Sequence, residues 1–301
     1  NIPRSVADKG ESKMVILPAS VGGEKGIESY SDLFDSIIAK LADGVRCDMA
    51  MLGLNHVFEK NWGRFLNDYR VPQTEFWQDA IEAVKSHYPD FVFIAEVYWG
   101  LENELQQLGF DYTYDKNFYD LLLNGAASQI TDHLKSDLSV QEKSIRFIEN
   151  HDEDRSLSAF GQQRVRAAAM AMATTPGGHL YFDGQLQGQT IHLPVQLAIC
   201  PKEKANDELV FFYKELLQII KQPIFRNGHW QLLSVKNISG DSNEKSFLAW
   251  MWSYKEEAWY VVINYSEHSS QGWVEVPSVA IQAGQTEFSD VIKKEKYAHK
   301  S

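Results

Sequence analysis

The segment Phe91–Val97, FVFIAEV, limits the fold more than any other stretch of the chain. It is apolar apart from Glu96, and rich in aromatic and β-branched residues. A run of that kind is the signature of a strand covered on both faces. Strands covered on both faces belong to parallel sheets, whose crossover connections supply the covering helices. The sequence offers those helices on either side. Phe76, Trp77, Ala80, Ile81 and Val84 fall on one face at helical spacing, with Thr74 placed to cap the helix and Tyr88-Pro89-Asp90 placed to stop it. Leu33, Phe34, Ile37, Ile38 and Leu41 mark another helix over Ser29–Leu41, ending near Gly44.

The same alternation continues along the chain. Val45–Leu52 is a short apolar run interrupted by Arg46 and Asp48. Phe110–Tyr114 is a weaker strand, followed by helical stretches at Asn117–Leu123 and Gln129–Leu134. Ser144–Glu149 reads as a strand, Gln162–Thr174 as an Ala-rich helix, His179–Phe182 as a strand and Asp207–Ile220 as a strong helix. Strands that alternate with helices predict an α/β fold with a parallel sheet, either a barrel or an open doubly wound sheet. No Gly-rich phosphate loop follows any of these strands, so the nucleotide-binding open sheet is the weaker choice. The pattern changes near residue 228. HWQLLSV, SFLAWMW, AWYVVINYS and GWVEVP are strands separated by turns such as Ser239-Gly240-Asp241. The expected organisation is a β/α portion over residues 1–227 and an antiparallel β domain over residues 228–301.

Charge narrows the function. Twenty-nine Lys and Arg stand against 41 Asp and Glu, a net charge of −12. That balance speaks against nucleic acid, where a basic patch would supply the affinity, and is compatible with a neutral substrate. No apolar run reaches the ~20 residues needed to cross a bilayer, so no membrane role is expected. The N-terminus shows no signal-peptide core and no initial Met, which fits a piece of a longer, cytoplasmic protein. Cys47 and Cys200 read as two lone buried thiols in a reducing compartment, with a single disulfide as the alternative.

Three of the strands carry ionisable or polar residues at their C-terminal ends. The first offers Arg46 and Asp48. The second offers Glu96, then Tyr98 and Trp99. The third offers Asn150, His151 and Asp152. In a parallel barrel these ends converge on one face, where chemistry is placed. Arg46 and Asp48 are two apart, so their side chains share a strand face. Each group has a structural alternative: an ion pair for Arg46–Asp48, a solvated turn for Glu149–Arg155. Glu96 is the hardest to explain structurally, because a carboxyl within an apolar run must be paired or do chemistry. Cys47 lies between Arg46 and Asp48 and should point away from them. The other histidines show no ligand spacing, and Trp250, Trp252, Trp259 and Trp273 read as core of the β tail rather than as a glycan platform.

These stretches, in this order, resemble the α-amylase family of glycoside hydrolases, family 13. DGVRCDMAM is similar to its fourth-strand motif, FIAEVYW to its fifth, FIENHDEDR to its seventh, and TTPGGHLYFDGQ to the segment around its eighth strand. The resemblance implies a TIM-type β/α barrel followed by a small all-β domain. It implies that Asp48 is the nucleophile, Glu96 the acid/base and Asp152 the support of the transition state. Arg46, Asn150 and His151 would hold the carboxylates and the sugar, with Tyr98 and Trp99 on the acceptor side. The substrate implied is an α-glucan or maltooligosaccharide, cleaved with retention. No cofactor is implied for this chain, calcium belonging to the full-length family.

Two departures shape the expectation. The family's third-strand motif, an Asp followed by Asn-His, does not precede Arg46, and residues 1–43 are too short for three βα units. The barrel is therefore expected to be incomplete, about strands four to eight, with a missing N-terminal barrel segment as its partner. Met51 and Leu52 stand where many members carry Lys-His, which leaves exo-acting and transferring enzymes open. A transglycosidase of the same family is thus one alternative, and an inactive fragment or glycan-binding remnant is another.

Overall fold

Strands β2 (Gly44–Cys47) and β3 (Val92–Ala95) meet at a backbone contact that only glycine permits. A Cβ on Gly44 would lie 2.5 Å from the Val92 carbonyl oxygen and 2.9 Å from the Val92 Cβ. Without one, the strands pair in parallel from Gly44 opposite Val92 to Cys47 opposite Ala95. The computed structural model describes residues 14–17, 42–66, 70–194, 196–197, 199, 201–237, 246–277 and 285–300. The expected helix over Ser29–Leu41, Cys200 and the Ser239-Gly240-Asp241 turn lie outside the described residues. The chain divides into two compact units, residues 1–115 with 143–145, and residues 116–142 with 146–301.

The first unit carries a parallel sheet in chain order: β1 (Met14–Leu17), β2, β3, β4 (Tyr112–Tyr114) and the start of β5 (Ser144–Arg146). Helices α1 (Asn55–Trp62), α2 (Phe76–His87) and α3 (Glu102–Gln107) intervene. The apolar stripe of α2 does what its spacing predicts: Trp77, Ala80, Ile81 and Val84 are buried. Trp77, Ile81 and Val84 join a core with Val45, Phe93, Ala95, Val97 and Phe110. Trp77 and Phe110 meet edge-on at 5.0 Å, and the Trp77 indole N–H donates to the Ala50 carbonyl at 2.7 Å. Each fully buried large side chain of this kind stabilises the fold by about 1.5–3 kcal/mol. Thr74 does not cap α2. Its hydroxyl donates to Asp79 Oδ2 at 2.6 Å, and Glu75 occupies the cap position without a side-chain cap bond. The helix starts at Phe76, so Glu75 rather than Thr74 stands at the cap, and its carboxylate accepts the Asn55 N–H at 3.0 Å instead.

The second unit begins with α4 (Lys116–Asn124), α5 (Ala127–His133) and α6 (Leu138–Glu142). Then come α7 (Ser156–Thr174), β6 (Gly178–His179), α8 (Asp207–Ile220) and α9 (Ile224–Asn227). Helix α7 is broken at Gly161, whose φ of 73° lies in the region glycine tolerates. Asn206 caps α8, its side-chain oxygen accepting the Leu209 N–H at 3.2 Å. The tail is antiparallel. Strand β9 (Phe247–Tyr254) lies between β10 (Glu257–Asn264) and β7 (His229–Leu232). Strand β8 (Val235–Asn237) pairs with β11 (Gly272–Val274), and β12 (Gln285–Asp290) with β13 (Glu295–Lys300). Trp250 and Trp252 are buried, and the Trp252 indole donates to the Thr174 carbonyl at 2.7 Å. Trp259 is half-buried against Phe225, whereas Trp273 is 58% exposed and lies outside any core. No helix among the described residues is long and apolar enough to cross a membrane.

Candidate active site

In the first unit, β2 ends at Cys47 and the chain turns at once. Met49 adopts φ 45°, and a 3₁₀ turn follows over Ala50–Gly53. Two backbone bonds stitch this turn to the end of β3: Glu96 N–H to the Cys47 carbonyl and Ala50 N–H to the Glu96 carbonyl, both 2.9 Å. Asp48 and Glu96 are thus both residues just past a strand, fixed by the backbone before their side chains make any contact.

The side chains converge on Arg46. Its Nη1 donates to Asp48 Oδ1 at 2.7 Å, and its Nη2 lies 3.1 Å from Glu96 Oε2. The second contact is an ion pair without hydrogen-bond alignment. Its Nε donates to the Tyr114 hydroxyl at 3.3 Å, and its guanidinium sits over the Tyr114 ring, 5.3 Å from the centroid. Burial opposes charge on Arg46. The Asp48 hydrogen bond and the Glu96 charge outweigh it and hold the guanidinium above its ordinary range. Glu96 also accepts the Met49 N–H at 2.9 Å and the Tyr98 hydroxyl at 2.8 Å. The side-chain exposures divide the pair: Arg46 4%, Glu96 6%, Asp48 44%. A buried cation therefore holds two carboxylates together, one enclosed and one open to an incoming group. Tyr98 rests on Glu96, while Trp99 is 64% exposed with a left-handed φ of 67°. Cys47 is a free, buried thiol, pushed up to about 12 by burial, and so is packed rather than reactive.

In the second unit, the segment after β5 forms a braced loop. Asn150 Oδ1 accepts the N–H groups of Asp152 and Glu153, both at 2.9 Å, which makes a turn around its own side chain. His151 Nε2 lies 3.1 Å from Asp152 Oδ2, and the Asp152 carboxylate is half exposed. The loop is pinned at its base by Glu149, fully buried, with Arg155 Nη2 3.0 Å from its Oε1 and the Ser156 N–H donating to its Oε2 at 2.6 Å. Burial raises the Glu149 pKa against the opposing pull of Ser156 and Arg155. Arg155 also donates to the Asp183 carbonyl at 2.8 Å. Lys116 pairs with Glu153 at 3.1 Å, and His192 contacts Asp154 at 3.5 Å and the His151 carbonyl at 3.2 Å.

Sequence reasoning named Arg46, Asp48, Glu96 and Tyr98, which form one contact network, and Asn150, His151 and Asp152, which form another. It passed over Tyr114, Glu149, Arg155 and His192. Tyr114 carried a faint signal as the last residue of the weak strand run. Glu149 and Arg155 carried one too, as charges on the edge of an apolar strand. Among the described residues, no group of three or more His, Cys, Asp or Glu side chains converges as a metal site would.

The family model of the α-amylase catalytic domain matches residues 27–264. Among curated relatives, an α-amylase MalA of Haloarcula japonica is 28% identical over 159 residues, half of this chain and 21% of that protein. The intracellular maltogenic amylase of Bacillus subtilis is 24% identical over 182 residues, 54% of this chain and 31% of that one. Among solved structures, the noncanonic maltogenic α-amylase AmyB of Thermotoga neapolitana superposes with a TM-score of 0.63 at 18% identity, over 90% of this chain and 59% of that one. The chain belongs to the α-amylase catalytic-domain family. Its fold is α/β, an incomplete TIM-type barrel followed by antiparallel β strands. It spans between a fifth and a third of the curated relatives it matches.

Proposed function

We propose that this chain carries the catalytic centre of a retaining glycoside hydrolase acting on α-glucosidic bonds of maltooligosaccharide-like substrates. The observation that carries the reading is the buried Arg46 shared between an exposed Asp48 and an enclosed Glu96. In the first step an Asp48 oxygen attacks the anomeric carbon while the bond to the leaving glucan oxygen breaks and Glu96 gives that oxygen its proton. In the second step water attacks the same carbon, Glu96 takes the water's proton, and Asp48 departs as carboxylate. Retaining enzymes hold such a pair ~5–5.5 Å apart. Arg46 keeps Asp48 oriented for attack. On the family pattern, Asp152 supports the positive character of the transition state, Asn150 and His151 bind sugar hydroxyls, and Tyr98 and Trp99 serve the acceptor.

The same proposal includes a catalytic portion over residues 1–227, a β domain over residues 228–301 and a cytoplasmic setting. The free Cys47 thiol supports the last, as does one relative named an intracellular maltogenic amylase. The test is hydrolysis of a maltooligosaccharide series, with the anomer of the released sugar read by proton NMR before mutarotation. The α-anomer is expected, and the Asp48→Asn variant should lose turnover by at least about 10³-fold. A β-anomer, or undiminished turnover in Asp48→Asn, would overturn the reading. Products longer than the substrate would place the enzyme among transglycosidases instead.

A further inference from the structure

We infer that Tyr114 is a positioning residue of this site, whose hydroxyl and ring fix the plane of the Arg46 guanidinium and thereby aim it at Asp48 and Glu96. The inference rests on the proposed roles of those two carboxylates. A guanidinium is planar, so the directions of its N–H groups are locked to one another. Rotation about its bond to the side-chain stem would swing Nη1 and Nη2 away from their partners together. Beside the carboxylates themselves, two contacts from Tyr114 oppose that rotation. The hydroxyl accepts Nε–H at 3.3 Å, which fixes one edge. The ring lies under the guanidinium carbon at 5.3 Å, which fixes the face.

The sheet explains why Tyr114 can do this. Strand β4 pairs with β3 through Ile94–Tyr112 and Ala95–Thr113, and Tyr114 pairs with Ile145 of β5. The Asp115 N–H then donates to the Ile145 carbonyl at 2.9 Å, so the backbone is held on both sides of the tyrosine. Tyr114 is 7% exposed and acts through Arg46 rather than on a substrate. Because Arg46 is itself buried, no water layer can substitute for the lost contacts.

The experiment uses the full-length enzyme with maltotetraose and α-maltosyl fluoride. Fluoride leaves without a proton, so the second probe isolates the Arg46–Asp48 contact from the acid step of Glu96. Tyr114→Phe, which keeps the ring, should lower kcat about tenfold on both probes with KM within about twofold, and Tyr114→Leu should lower it further. In an Arg46→Lys background Tyr114→Phe should have almost no additional effect, since the contact is already gone. Unchanged kcat in Tyr114→Phe, or full additivity with Arg46→Lys, would overturn the inference. Persistent activity in Asp48→Asn would instead overturn the underlying reading. The ¹⁵Nε–H resonance of Arg46, identified by its loss in Arg46→Lys, reports the contact without any turnover. It should move in Tyr114→Phe, and a resonance that stays in place overturns the inference whatever the enzyme's activity.

Discussion

The two groups of candidate residues are held by different physics. Around Arg46, charge does the arranging: one buried cation lies between two carboxylates, at 2.7 Å and 3.1 Å. In the loop after β5, the backbone does it. Asn150 folds the chain over its own side chain, Glu149 and Arg155 pin the base, and Asp152 is left half exposed with His151 alongside. The contrast teaches where each is vulnerable. A charge cluster fails when its central ion is removed, because the remaining buried carboxylate is left uncompensated. A braced loop fails more gradually, since each anchor carries only part of the load.

The largest test of that contrast is Arg46→Leu. It should abolish turnover and destabilise the fold by about 3–5 kcal/mol, read as a shift in the denaturant midpoint. Glu149→Leu should be milder, about 3 kcal/mol, because Arg155 keeps the Asp183 carbonyl and the Phe182 ring after its carboxylate is gone. If the two variants lose equal stability, the distinction between charge cluster and braced loop falls. Trp99→Gly separates stability from binding. Relief of the left-handed φ at an exposed side chain should raise stability by about 1 kcal/mol, while KM for maltotetraose rises with loss of the ring face. A variant that is less stable than wild type would show that Trp99 packs in solution.

The smallest effect is a slope. Burial lowers His179 from 6.5 to about 4, with Arg146 adding to the lowering and a hydrogen bond to the Thr175 carbonyl opposing it. A depressed histidine contributes stability that is complete above its unfolded pKa and is lost as pH falls through its folded one. Thermal stability should therefore decline between pH 6.5 and about 4, and His179→Gln should flatten that decline. Identical slopes in the two proteins would remove His179 from the account.

The sequence alone determined most strands and most helices, because their signals are local, although β1, β12 and β13 carried no strand expectation. The apolar run at Phe91–Val97 yields β3, the stripe on α2 is buried as spaced, and α8 runs over the predicted Asp207–Ile220. It also singled out Asp48, Glu96 and Asp152 as candidates, because an ionisable residue at the end of an apolar strand stands out against its neighbours. Short elements escaped it. Helices α1, α3 and α6 are eight residues or fewer, too short for a periodic stripe to declare itself. The Thr74 cap was misjudged because the helix starts one residue later, which puts Glu75 at the cap position, and Trp273 because alternation in a strand does not say which face is covered.

What the tertiary structure decided is pairing. That Arg46 is shared between Asp48 and Glu96, that Tyr114 lies beneath it, and that Glu149 belongs to Arg155 rather than to the exposed carboxylates beside it are long-range or side-chain facts. Periodicity reports which face of an element is apolar. It carries no record of which charged group, tens of residues away, arrives to meet another, because that depends on strand register and on the enclosure that makes an unpaired charge costly.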